Sequence, residues 1–336
     1  MKKKFNIMLC TLIGVLSACN EYDFDQEQYR NEVGLLSNSS LIYDRQVANV
    51  GQEKDTIYLV ATVSGSQISP NTHHVALLES DSLLKAYNKS NFDIEKEKFA
   101  KLLPDECYDF PNKELDIQAG TSKVMFPIYL KKISPDSIYF LDYKIDPEKT
   151  PNYNPDKSHV LLRIYKENYY ATTKTSTYYN YTSSTIVIPN PSGSPEVRRP
   201  TNANQVFPIG ANSVRMMAGD EDLGDYKTAR SRIVSKSIIL EIGEQQPENP
   251  QARELTIRAH DRVNDVEVDP VDVVQLTPID DYDNTFLLNA IRTPDGRATY
   301  YKEFRLHYKY RLESTAPYRE VKAKLRYEFN PRVDNL

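Results

Sequence analysis

Six tyrosines crowd one short stretch of the chain. Tyr165, Tyr169, Tyr170, Tyr178, Tyr179 and Tyr181 fall within 17 positions, interleaved with Thr, Ser and Asn. Sugar rings present axial C–H faces that stack on aromatic planes while their hydroxyls seek polar groups, and a tyrosine has both an apolar ring and a polar tip. Tyr178, Tyr179 and Tyr181 are therefore the candidate glycan-binding residues. The competing use of the same side chains is burial, because Tyr favours strands. The absence of Trp from all 336 residues tells mildly against a dedicated carbohydrate module.

The other reactive side chains form no recognised motif. No Gly-x-Ser-x-Gly, His-Glu-x-x-His or phosphate-loop pattern occurs. His73 and His74 are adjacent, so on a strand they point to opposite faces and are poorly placed to share an ion. Asp220-Glu221-Asp222-Leu223-Gly224-Asp225 has calcium-ligand chemistry but departs from EF-hand spacing, with Gly at the fifth place and no Glu at the twelfth. Asp261, Asp265, Glu267 and Asp269 form a second acidic patch, and Asp280-Asp281-Tyr282-Asp283 a third. Solvated loops are the plainer reading of such runs. No catalytic residue, metal ligand or cofactor is assigned. Carboxylates from distant positions could still pair in space, which keeps a hydrolase as the lesser alternative.

The N-terminus carries an address. Lys2-Lys3-Lys4 precede an apolar run of 14 residues, Phe5 to Ala18, short of the ~20 that a membrane span needs. It ends in Leu16-Ser17-Ala18-Cys19. This resembles a bacterial lipoprotein signal, which implies that residues 1–18 are removed and that Cys19 carries acyl chains such as palmitate. An ordinary secretory signal with a chance cysteine is the alternative. Each buried acyl methylene contributes ~0.8 kcal/mol, so several chains on one cysteine anchor the protein to a membrane. Glu21, Asp23, Asp25 and Glu27 then resemble the acidic export signal of Bacteroides-type surface lipoproteins, which implies the outer face of the outer membrane. A solvated acidic tether over 19–45 is the simpler reading. With Cys10 in the leader and Cys19 lipidated, only Cys107 remains, so no intrachain disulfide can form. Cys107 reads as a half-buried structural thiol.

About 318 residues remain, enough for about two domains. Charged residues make up 26% and apolar ones 40%, an ordinary globular composition that excludes a disordered or collagen-like chain. Losing the three leader lysines takes the formal charge from −5 to −8. No basic stripe is present, so nucleic acid is excluded as a partner.

Glycine is sparse, proline is plentiful, and β-branched and aromatic runs recur between Pro, Asn, Asp and Ser, which predicts a sandwich-type all-β protein. Strands are expected at 57–63, 74–78, 115–117, 123–130, 138–145 and 160–165, with Pro127 making part of one an edge. A helix capped by Asp81 or Ser82 should contain Leu83, Leu84 and Tyr87, and a second short helical stretch should run from Phe92 to Leu103 before Pro104. Further strands are expected at 186–188, 233–242 and 255–259. The cleanest alternation comes last: Phe304, Leu306, Tyr308 and Tyr310, then Val321, Ala323, Leu325 and Tyr327, predict adjacent antiparallel strands with one buried and one charged face. Lys302, Arg305, His307, Lys309 and Arg311 are expected mostly on the charged face. Pro189 to Pro195 is the strongest loop signal.

A family resemblance rests on Leu83-Leu84-Lys85-Ala86-Tyr87-Asn88, Leu102-Leu103-Pro104-Asp105-Glu106-Cys107-Tyr108, Leu115-Asp116-Ile117-Gln118-Ala119-Gly120, Asn154-Pro155-Asp156-Lys157 and Val160-Leu161-Leu162-Arg163-Ile164, in that order. Residues 45–168 thereby resemble the immunoglobulin-like N-terminal domain of unknown function in Bacteroides-type surface lipoproteins, which often precedes a family-18 glycosidase barrel or a lectin-like sandwich. The second half resembles the β-rich C-terminal partner domain of the same group. The resemblance implies a setting of glycan capture at the cell surface and carries over no binding or catalytic residue. A family-18 enzyme would need a barrel of ~250 residues and an Asp-x-x-Asp-x-Asp-x-Glu strand end, and neither is present.

The expected molecule is thus two β-sandwich domains, immunoglobulin-like over 46–168 with one or two short helices inserted, and a C-terminal sandwich over 169–336. The expected function is that of a non-enzymatic surface lipoprotein that binds glycan as an accessory of polysaccharide capture. Its expected partners are the membrane through Cys19, a glycan, and an outer-membrane transporter or surface glycosidase. A protein-docking or adhesin-like subunit is the alternative.

Overall fold

A computed structural model describes residues 30–332 except 51–53, 132, 134–136, 224–229, 263–267, 293 and 295. The leader, Cys19 and the acids at 21–27 lie outside the described residues, as do Asp225, Asp265 and Glu267.

The N-terminal half contains β1 (Val33–Leu35), β2 (Ile42–Asn49), β3 (Asp55–Val63), β4 (His73–Glu79), α1 (Ser82–Phe92), β5 (Lys101–Leu102), β6 (Tyr108–Asp109), β7 (Glu114–Ile117), β8 (Lys123–Leu130), β9 (Tyr139–Ile145) and β10 (His159–Glu167). These make two sheets, β1-β3-β8-β6 and β2-β10-β9-β4-β7, with β5 added to β9. Alternation along the strands sends Ile57, Leu59, Phe126 and Ile128 of one sheet against Val75, Leu77, Leu141 and Leu162 of the other. Each such side chain contributes about 1.5–3 kcal/mol by leaving water. Helix α1 covers the outer face of the second sheet, where Leu84 and Ala100 pack on Phe140 and Leu161.

The acidic tether ends earlier than 45. Val33 and Leu35 are buried in the core, and Ile42 begins a strand that pairs in parallel with β10. The second helical stretch is reduced to a 3₁₀ turn, Lys96–Lys98. Sheet pairing overrides helical propensity there, because Lys101 and Leu103 donate to the carbonyls of Ile138 and Phe140, both at 2.9 Å. Asp81 makes no side-chain cap on α1. The Asp142 carboxylate does that work from β9, accepting the Leu84 N–H at 3.1 Å. Burial nonetheless pushes the Asp142 carboxyl above its ordinary value. Cys107 is half-buried against the same core, and burial pushes its thiol up.

The C-terminal half contains β11 (Thr177–Ile188), β12 (Glu196–Arg198), β13 (Asn204–Gly210), β14 (Ser213–Met217), α2 (Arg230–Lys236), β15 (Ser237–Gln246), β16 (Asn249–Ala259), β17 (Asp272–Gln275), β18 (Thr285–Arg292), β19 (Ala298–Arg311) and β20 (Arg319–Phe329). The strand expected at 233–242 therefore starts at Ser237. Ile233 belongs to α2 and packs on Met217 and Leu223.

The last two strands pair as the alternation predicts, with Phe304 opposite Leu325, Leu306 opposite Ala323 and Tyr308 opposite Val321. Lys302 departs from the pattern. It is 2% exposed, its ammonium donates to the Tyr169 carbonyl, and it lies 4.3 Å from the Tyr169 ring centroid. The pairings β11-β13-β14-β15-β16-β18-β19-β20 return to β11, so the C-terminal sheet closes on itself around one core. The molecule is all-β and sandwich-like, with strands in both halves and only short helices among the described residues.

Candidate functional site

The ring is imperfect beside β11. On one edge Ile186 faces Arg198 of β12 and Tyr179 faces Asn204 of β13, while β20 holds the other edge. The chain at 199–203 therefore runs past the middle of β11 without pairing to it. Pro200, which has no N–H to donate, lies in that stretch. Beyond it, β13 and β14 pair only from Phe207 onward, with a register shift between Pro208 and Gly210. The Asn204 carboxamide replaces the missing ladder: its Oδ1 accepts the Met217 N–H at 3.2 Å and its Nδ2 donates to the Met217 carbonyl at 2.9 Å. Both backbone groups are thereby satisfied while the strands stand apart.

A cavity of about 640 Å³ occupies the opening, within the range of small-molecule sites. Its floor is Tyr181, Asn204 and Gly219. The Tyr181 hydroxyl donates to the Gly219 carbonyl and accepts from Asn204 Nδ2 at 3.0 Å. Burial pushes that phenol up to about 12. Gly219 has φ +53°, and a Cβ there would stand 2.6 Å from the Tyr310 hydroxyl. Glycine is therefore required on both backbone and steric grounds.

The walls are charged and largely self-neutralised. Arg198 pairs with Glu196 at 2.6 Å and with Asp220 at 3.7 Å. Glu221 accepts from Arg319 at 2.7 Å and from Lys236 at 3.0 Å. Arg199 is exposed and has no ion pair among the described residues. Gln205, Phe207 and Asp222 also line the cavity. The Arg215 guanidinium lies 4.3 Å from the Phe207 ring centroid and is fully buried, and burial pulls it down to about 9.

The three sequence-predicted tyrosines have different fates. Tyr178 is 41% exposed at the cavity wall and Tyr181 forms the floor. Tyr179 is wholly buried, tilted 4.8 Å from Phe304, with its hydroxyl donating to the Tyr170 carbonyl at 2.9 Å. It cannot touch a ligand, because the strand alternation that exposes Tyr178 turns Tyr179 into the core. Tyr170 is likewise core, edge-on to Phe286 at 4.9 Å. Tyr165 stands beside the Arg163 guanidinium at 5.0 Å.

The sequence reading missed Arg198, Arg199, Asn204, Gln205 and Phe207. The signal available was the Arg-Arg-Pro step after the 189–195 loop, where a strand must break. The acidic run at 220–222 lies in this cavity, with Glu221 committed to cations. His73 pairs with Ser69 at 2.8 Å and His74 with Asp116 at 2.7 Å. Among the described residues no cluster of three or more metal-ligating side chains occurs.

A smaller cavity of about 350 Å³ lies in the N-terminal half between Asp105, Tyr108 and Asp142.

One family model, described as an N-terminal domain, matches residues 29–152. Another, described as C-terminal, matches residues 158–326, half of the chain. The chain belongs to this C-terminal-domain family. Its match begins inside the segment that leads into β10, a strand held by the N-terminal sheet. No curated protein matches by sequence.

Solved structures from Bacteroides share this fold. A structural-genomics protein of unknown function from Bacteroides ovatus is 16% identical, with a TM-score of 0.63 over 88% of this chain and 94% of that one. A multidomain protein including DUF1735 from the same organism is 16% identical, with a TM-score of 0.62 over 90% and 95%. An auxiliary nutrient binding protein from Bacteroides thetaiotaomicron VPI-5482 is 18% identical, with a TM-score of 0.58 over 87% and 94%. These agree with the group identified from residues 45–168, and at such identity they establish the fold alone.

Proposed function

We propose that this protein is a non-catalytic glycan-binding accessory of polysaccharide capture, held on the outer membrane by acyl chains on Cys19 and displayed at the cell surface. The observation that carries the glycan reading is the cavity beside β11. It places an exposed tyrosine ring, Tyr178, next to carboxamide, guanidinium and carboxylate groups around a rigid floor. Sugar recognition needs that combination of apolar plane and convergent polar groups. The shared fold with an auxiliary nutrient binding protein supports the same direction.

The carboxylates argue against hydrolysis. A glycosidase needs one carboxylic acid able to hand a proton to the leaving oxygen and a second carboxylate across the bond. Glu221 is held between Arg319 and Lys236, and Asp220 stands against Arg198. Both act here as ion-pair partners that fix the cavity wall.

Native electrophoresis through gels containing polysaccharides tests the proposal. The purified protein is expected to be retarded by at least one polysaccharide, and Tyr178→Ala is expected to migrate freely while keeping its circular dichroism. Free migration of the folded wild type through a broad panel would contradict the glycan reading and favour a protein-docking subunit.

A further inference from the structure

The charges around the cavity go further than the presence of a tyrosine. Most of its charged side chains are paired within the protein before any ligand arrives. Arg198 is shared between Glu196 and Asp220, and Glu221 between Arg319 and Lys236. Asp222 adds another carboxylate at the exposed lip. The only lining cation without an ion pair among the described residues is Arg199, and it is solvent-exposed.

We infer that the cavity takes an uncharged, hydroxyl-rich saccharide and discriminates against uronate or sulfated glycans. This rests on the glycan reading of the same cavity. A hydroxyl both donates and accepts, so it can bridge the Asp220 carboxylate and the Arg198 guanidinium without breaking their pair. The Gln205 carboxamide offers the same dual chemistry. A carboxylate or sulfate brings a like charge to Asp220 and Asp222. To gain Arg198 it must share the guanidinium with Glu196 and Asp220, two carboxylates that repel it. Like charges set together at an interface disfavour binding. One exposed guanidinium such as Arg199 returns little, and salt screens that gain.

The test compares matched polysaccharides in retardation gels and by calorimetry on the purified full chain. The neutral probes are galactomannan, xyloglucan, dextran and yeast mannan. The acidic probes are polygalacturonate, alginate and chondroitin sulfate. The expected result is retention by a neutral probe that barely changes between about 50 and 500 mM salt, with acidic probes at least ~10-fold weaker. Asp220→Asn removes a repelling charge and loosens Arg198, so it is expected to narrow that gap. Tighter binding of an acidic probe, weakening with salt and lost in Arg199→Ala, would overturn the inference and leave the glycan reading standing. Failure of every probe on folded protein would remove the glycan reading and this inference together.

Discussion

The two halves of the molecule treat the edges of their strands differently. In the N-terminal sandwich two sheets lie face to face with open edges, and a helix covers one outer surface. In the C-terminal ring a single sheet returns to its first strand, and its ladder is interrupted where the chain passes β11 at 199–203. The opening forms there because side chains stand in for the ladder. Asn204 bonds both backbone groups of Met217. At another seam Gln275 accepts from Ile257 at 2.7 Å and donates to Leu255 at 3.1 Å. A closed sheet can thus be parted locally at little cost when a carboxamide satisfies the orphaned groups. The sandwich uses the same device beside its helix, where the Asn88 carboxamide bonds both backbone groups of Ala100 at 2.8 Å, and its buried Asp142 closes the end of α1.

The largest expected effect separates neighbouring tyrosines on β11. Tyr179→Ala empties a fully buried site and is expected to cost the ring about 3–5 kcal/mol, read as lost hydrogen-exchange protection across β11, β19 and β20. An effect below about 1 kcal/mol would place Tyr179 outside the core.

Next comes Gly219→Ala. The positive φ and the contact with buried Tyr310 together predict a loss of about 2–3 kcal/mol, again confined to the ring. Chemical denaturation checks it, and a neutral or stabilising result would refute the geometry of the cavity floor.

A pH comparison sharpens the contrast between the halves. Burial raises the Asp142 carboxyl above its ordinary value of 3.8, so the native state takes up its proton first as pH falls. Its contribution to stability therefore rises with acidification through the folded value and is lost as pH rises. Glu303 has the opposite sign. Burial alone would raise it, but hydrogen bonds from Arg305 and Arg326 outweigh that and leave it below its ordinary 4.5. Its contribution is present above 4.5 and is lost as pH falls through the folded value. Between neutrality and mild acid, Asp142→Asn is expected to reduce the acid-side gain of the sandwich, and Glu303→Gln to reduce the acid-side loss of the ring. Region-resolved hydrogen exchange distinguishes these slopes, and matching slopes in both variants would contradict the assignment.

The fold was legible where alternation is strict. Phe304 to Tyr310 and Val321 to Tyr327 name their own faces and their own pairing. Lys302 was not legible, because a lysine at an inward position is tolerated only through partners such as the Tyr169 ring and carbonyl, which are remote in sequence. Ring closure was also hidden, since the pairing of β11 with β20 joins segments about 140 residues apart. The site was half legible. Composition singled out the tyrosine stretch, and strand periodicity could have separated Tyr178 from Tyr179. Asn204 and Phe207 carry no local signature, because their roles come from where two strands diverge.

Ligand-dependent hydrogen exchange is the most direct test of the cavity as the binding site. With a neutral polysaccharide that retards the wild type, protection is expected to rise at 178–181, 198–207 and 217–223 and to stay unchanged in the N-terminal sandwich, and Tyr178→Ala is expected to abolish the change while altering stability by less than about 0.5 kcal/mol. Protection appearing instead around Asp105, Tyr108 and Asp142, or persisting in Tyr178→Ala, would contradict the account.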